Sequence, residues 1–337
     1  MSLASPASPL DEPIRLPAES PPSASLSRFG WGVLAYTVAV ILFGAVVRIT
    51  GSGAGCGQHW PTCQGEIVHF PRTVATAIEL SHRLTSGLSL VLVVALALLS
   101  FRRLPPGHVT RRAAVASVVL MLTESLVGAA LVLLRLVGHN TSIARAVVMA
   151  IHLVNTSFLA GAIALTAWTA TRAAPRRLRP SSVLDWVLVG ALGAALVVSV
   201  TGAVTALGDT LYPVETSRSV AERLAADHVA TASFLERGRA VHPVMALVGA
   251  IFLLNVAWKA REARPGPGMD LASGSVIALV FLQVAAGIVN IWLSAPGWMQ
   301  VVHLALATSV WLALVLLYAT ARALDEAREH PANALTR

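Results

Sequence analysis

The chain has 337 residues, of which 55% are hydrophobic and only 12% charged, and its mean hydropathy is +0.71. Soluble domains carry about twice that share of charge, so the composition excludes an ordinary soluble domain and points to a protein of the bilayer. The net charge of +8 reads as a topology signal and not as a nucleic-acid footprint, because the basic residues gather between apolar segments.

Eight segments approach the roughly 20 apolar residues that a helix needs to cross about 30 Å of hydrocarbon: 30–49, 74–101, 112–134, 146–171, 182–204, 240–258, 271–293 and 299–321. The expectation is an all-α integral membrane protein. With the N-terminus inside, the inner segments hold 16 Lys and Arg and the outer ones 8, with Arg83 just inside the second span. Basic residues are retained on the cytoplasmic side, so both termini are expected there, in a multi-pass protein of the cell membrane. Residues 1–28, rich in Ser, Pro and Ala, are expected to be a disordered cytoplasmic tail, and 323–337 a second tail. Four outer arginines, Arg48, Arg72, Arg135 and Arg145, stand close to membrane borders. Two readings fit such positions: pairing with a buried carboxylate or a ligand's acid groups, or snorkelling to headgroups.

The first outer loop, 51–66, is rich in glycine and holds both cysteines, Cys56 and Cys63. No Lys-Ser/Thr follows and no strand precedes it, so it is not a phosphate-binding loop. Ala54-Gly55-Cys56 resembles a lipoprotein cleavage site, but the apolar run stops at Arg48 and Gly53 stands three before the Cys, so cleavage is not expected. An outer cysteine pair most often forms a disulfide. Thiolate metal binding helped by His59 is the other reading. The second span opens with Glu79-x-x-His82, and Glu79, His82, Ser86 and Ser89 fall on one helical face. The third carries Glu124 near its middle with Gly128 on the same face, and a carboxylate at that depth must face the interior. The fourth carries His152 with Asn155 and Thr156.

Beyond a basic linker, 173–181, the second half echoes the first. Ile49-Thr-Gly51 is matched to Val200-Thr-Gly202, Glu124 to Gln283, His82 to His242 and His152 to His303. Two four-helix repeats, 29–172 and 182–322, are therefore expected. An even number of spans per unit makes such repeats parallel. The outer loop 208–237 is expected to hold a surface helix over 219–234.

Of ten histidines, the four inside the spans stand at matched places in the even-numbered spans. A lone histidine at a helix end is usually an interfacial residue. Two on facing helices, however, can grip a planar macrocycle through its iron. Zinc fits less well, since no third ligand recurs with each pair, and a proton relay needs no such regularity. The reading is two haem sites near the outer face, His82 with His152 and His242 with His303. Glu79 precedes His82 where Arg239 precedes His242, so the first site suits chemistry and the second a structural or electron-relaying haem, with Arg239 beside a propionate.

These residues resemble the haem A synthase family: Gly51-Ser-Gly-x-Gly-Cys56, Trp60-Pro-x-Cys63, Glu79-x-x-His82, and one histidine in each even span. The resemblance covers 30–322. It implies oxidation of the C8 methyl of haem O to a formyl group, giving haem A for cytochrome oxidase. It further implies that His82 and His152 flank haem O, that Glu79 assists the chemistry, that His242 and His303 ligate haem b, and that Cys56 and Cys63 are the family's outer pair. Glu124, standing where Gln283 stands in the second half, would tune the first site, as would Arg48 and Arg145. A haem O synthase and an electron acceptor are the partners it implies. If both His82 and His152 bind iron, no position is free for oxygen, so one must dissociate or the methyl must be oxidised by outer electron transfer. The alternatives are a dihaem b-type electron-transfer cytochrome, which gives Glu79 and the cysteines no reason to sit in one half, and a transporter with a polar path through Glu124, Gln283 and Asn290.

Overall fold

A computed structural model describes residues 23–171, 178–213, 219–227, 229 and 232–329. Most of the expected N-terminal tail and of the linker lie outside these residues. The helices are α1 (Ala24–Ile49), α2 (Val74–Arg103), α3 (Val109–Leu133), α4 (Ile143–Thr169), α5 (Val183–Leu211), α6 (Val220–Asp227), α7 (Phe234–Arg237), α8 (Val241–Ala263), α9 (Pro267–Trp292) and α10 (Gly297–Glu329). Among the described residues eight helices are long and apolar enough to cross a membrane, α7 and α8 running together as one span, Phe234–Ala263. The fold is all-helical, as the composition requires: in hydrocarbon every backbone group must find its partner within the segment.

Local chemistry sets several of the helix starts. The side chains of Thr73, Ser142 and Ser182 each accept an N–H from the first turn of α2, α4 and α5, satisfying donors that have no intrahelical partner. Several boundaries differ from the expected ones. Helix α1 begins at Ala24, inside the stretch read as tail, because Leu26 is fully buried and the Ser23 N–H reaches the Ala170 carbonyl. Helix α10 runs on to Glu329, held by ion pairs of Arg322 and Asp325. Of the surface helix expected over 219–234, α6 is the described part, and α7 belongs to the span that follows.

In the first half α1 packs on α2 and α4, and α3 on α2 and α4; in the second, α5 packs on α8 and α10, and α9 on α8 and α10. The correspondence extends to single side chains, since the exposure classes of residues 81–89 recur in order over 241–249. The halves meet through α1 and α4 against α5 and α10. Small residues allow that approach: Gly161 lies against the Trp311 indole, whose N–H donates to the Ser157 carbonyl at 2.5 Å. Apolar side chains such as Leu84, Val91, Ile251 and Trp292 are left on the outside.

At the end of the bundle away from the histidines, fully buried Asp185 pairs with Arg264 at 3.2 Å and Arg322 at 3.1 Å, and Asp325 joins both arginines. Removing one member of a buried ionic group leaves its partners uncompensated, at a cost of about 3–5 kcal/mol. Asp185→Ala should therefore lower the thermal unfolding temperature in detergent by many degrees. Asp270→Ala, which breaks the half-exposed Arg261 pair, should change it little.

Candidate functional site

The bundle encloses a cavity of about 1860 Å³ whose wall includes His82, His152, His242 and His303. Typical small-molecule pockets occupy roughly 300–1,000 Å³, so this chamber has room for two large planar ligands. Each ring leans on a glycine of the neighbouring helix. A Cβ at Gly44 would stand 3.2 Å from His82, at Gly202 2.9 Å from His242, at Gly287 3.2 Å from His303, and at Gly128 4.0 Å from His152. The absent side chains make the room that the imidazoles fill. They also correct the repeat register: the residue that does for His82 what Gly202 does for His242 is Gly44. Gly51 lies beyond α1 with φ of 66°, so the Ile49-Thr-Gly51 match to Val200-Thr-Gly202 was a coincidence of composition.

The ring environments differ. His242 Nδ1 lies 3.0 Å from Thr201 Oγ1, whose hydroxyl already donates to the Val198 carbonyl at 2.8 Å. With its hydroxyl so engaged, Thr201 is placed to hold the His242 ring in orientation through Nδ1. His303 Nε2 is 3.1 Å from Gln283 Nε2, and the His242 and His303 ring centroids are 6.3 Å apart at 86°. In the first half Glu124 Oε1 approaches His152 Nδ1 at 3.3 Å, while the carboxylate accepts from Asn155 Nδ2 at 2.6 Å and from the Thr156 hydroxyl. The interior placement expected of Glu124 is thus met by three partners on α4, and the Glu124/Gln283 difference falls beside one histidine of each pair.

Cys56 and Cys63 form a disulfide with S–S 2.08 Å, so the thiolate metal reading does not hold. Buried Glu79 binds this loop directly: one oxygen accepts the Cys56 N–H at 2.8 Å and the other Arg83 Nη2 at 2.5 Å. Arg83 in turn donates to the carbonyls of His59 and Thr62, both at 2.7 Å. The sequence marked Arg83 only as a charge out of place. It is the residue that ties α2, Glu79 and the disulfide loop into one unit.

The arginines divide. Arg48 spans the two halves, donating to the Ala206 carbonyl at 2.6 Å, to the Thr210 hydroxyl, and to Gln300 Oε1 at 2.9 Å. Arg145 closes its own turn through the carbonyls of Gly138 and Asn140 at 2.5 and 2.8 Å. Arg239 is engaged by Asp209 at 3.0 Å and Asp227 at 2.9 Å and by two carbonyls, so it is not a free clamp for a ligand's acid group. Asp209 escaped notice because the span was expected to end at 204, whereas α5 continues to Leu211. Arg135 binds Gln58 at 2.6 Å, and Arg72 lies exposed on the loop before α2.

A family model described as COX15-CtaA, cytochrome oxidase assembly protein, matches residues 27–315. The chain belongs to this family. Within it, 305 residues are 43% identical to a Thermus thermophilus protein named protoheme IX farnesyltransferase, covering 90% of this chain and 49% of that one. The chain thus spans about half the length of this curated relative. A stretch of 95 residues is 45% identical to a Bacillus mycoides heme A synthase, and 93 residues are 46% identical to one from Bacillus cereus, each covering 28% of this chain and 30% of the relative.

The chain should depend on its glycine cradles. Gly202→Val puts a branched side chain where a bare Cβ would already crowd His242, so its thermal unfolding temperature in detergent should fall by several degrees. Gly190→Ala, at a helical glycine with nothing within 4 Å, should leave that temperature unchanged.

Proposed function

We propose that the protein is a haem A synthase that oxidises the C8 methyl of haem O, the farnesylated haem, to a formyl group for cytochrome oxidase. The observation that carries this reading is one cavity walled by two histidine pairs, of which only the first adjoins a disulfide loop anchored through a glutamate. His82 and His152 hold the substrate haem. His242 and His303 hold haem b. Their ring centroids lie 6.3 Å apart on the wall of one cavity, so the two imidazoles would grip one planar group between them. The Thr201 contact would steady the His242 ring, and a haem held at His303 would displace its Gln283 contact. When bound, haem b supplies a one-electron redox centre.

Written with water as the oxygen source, methyl to formyl consumes one water and releases four protons and four electrons. The electrons pass to an acceptor outside the chain. Glu79, one turn before His82, is the group in this wall that takes protons, and Arg83 with the Cys56 amide fixes its position. Glu124 acts on the first site through His152. Arg48 and Arg145 shape the cavity wall between the halves, and Arg239 braces the second half. The farnesyltransferase name of the Thermus relative supports a haem O synthase as the supplier of substrate. The protein is read as two parallel four-helix repeats, about 29–172 and 182–322, joined by the linker 173–181, with both termini cytoplasmic and the sites towards the outer face of the cell membrane. The matched glycine–histidine contacts support this reading.

Co-expression with a protohaem farnesyltransferase should yield haem A on extraction and chromatography. Unchanged haem O with an intact b-type spectrum would instead favour the electron-transfer cytochrome. His242→Ala should lower haem b content, while Glu79→Ala should spare it and stop turnover, and equal haem loss in both would undo the division of labour.

A further inference from the structure

The cavity wall is not continuous. Leu84 and Gly87 of α2 and Leu122 and Leu126 of α3 line the chamber and are exposed, and they share their helical stripes with Leu88, Val91 and Val119, which are exposed without lining it, so these stripes face the exterior as well. A residue that faces both a cavity and the exterior marks an opening, and this one lies between two membrane-spanning helices, so it gives onto hydrocarbon. It starts beside His82 and extends towards the bilayer centre, Gly87 being about 7 Å farther along the axis at 1.5 Å per residue. In the second half Val244 and Leu247 of α8 and Ile288 of α9 have the same double exposure.

The two openings differ at several positions, Leu84 against Val244 and Leu126 against Ala285 among them, and the largest change of size on α2 and α8 is at one. Five residues after His82 stands Gly87, and five after His242 stands Leu247. Glycine is the poorest helix former after proline, and elsewhere in the cavity wall its use is explained by contact. Gly44, Gly128, Gly202, Gly249 and Gly287 each have a neighbour within 4 Å of an added Cβ, whereas Gly87, also helical, has none. Neither backbone conformation nor helix packing accounts for Gly87. What it leaves is free width in the gap, and that gap is lined by leucines.

We infer that the α2–α3 gap at Gly87 is the port that seats the isoprenoid tail of the substrate haem, and that Leu247 closes the equivalent gap so that the second site takes a tail-less haem. The inference rests on haem O being the substrate. It assigns the choice between two haems that share the same ring and iron to the width of a gap in the bundle wall, where the substrate's long apolar tail can remain in hydrocarbon while the ring reaches the histidines.

The test is a pair of Soret titrations, with haem O and with tail-less protohaem, on nanodisc-embedded full chain and on its Gly87→Leu variant. Leucine is a better helix former than glycine and meets no neighbour, so the variant should keep its unfolding temperature. Excluding even a few methylene groups of the tail should weaken haem O about tenfold or more, with protohaem affinity changed less than about twofold. Equal haem O affinity in the two proteins overturns the port, and so does equal weakening for both haems, which would place Gly87 against the ring. If the unaltered chain binds protohaem but not haem O, the substrate reading fails and the port with it. In cells making haem O, Leu247→Ala should raise the ratio of farnesylated haem to protohaem extracted per chain, and an unchanged ratio overturns the role of Leu247.

Discussion

Everything in the site depends on four imidazoles being set into the spaces left by four glycines. A helix pair with side chains at both contact points stands too far apart, and fills the space too completely, for a ring to lie between and still reach a cavity. With Gly44, Gly128, Gly202 and Gly287 opposite them, the rings lie against backbone and their orientation is fixed by packing, not by a soft hydrogen bond. Only His242 has a hydroxyl fixing its second nitrogen. His82, His152 and His303 leave Nδ1 buried without a hydrogen bond. Position comes first in this design and electronic tuning second.

The asymmetry between the halves is built on the same frame with few changes. In the first half Glu79 and Arg83 reach up from α2 to hold the disulfide loop, and Glu124 sits by His152 with partners from α4. In the second, Arg239 is spent on Asp209 and Asp227, an ionic knot that fastens α6 and the outer end of α5. Such charges are tolerable at membrane depth because they face one another. The proposed division into a reacting and a relaying haem therefore needs no difference in helix arrangement.

The polar contacts between the halves act at two depths. Arg48 reaches from α1 to α5 and α10, and the Trp311 indole reaches from α10 to α4. The seam combines a few directed hydrogen bonds with the close approach of small residues, and so fixes how the two proposed haem sites stand to one another.

The sequence by itself determined the number of spans, since hydropathy over some twenty residues is a one-dimensional property, and it determined the four histidines, Glu79, Glu124 and the cysteine pair, because each is chemically out of place in an apolar chain. It misassigned Gly51, misplaced the ends of α1, α5 and α10, and offered Arg239 to a ligand. Glycine carries no side chain whose pattern could reveal a partner, and helix ends here are set by contacts with Ala170, Asp185 and Leu235. Only the tertiary structure decided that Gly44 is the mate of His82, that Arg83 joins Glu79 to the disulfide loop, that two acids occupy Arg239, and that the wall opens at Gly87, because each is a distance between helices far apart in the chain.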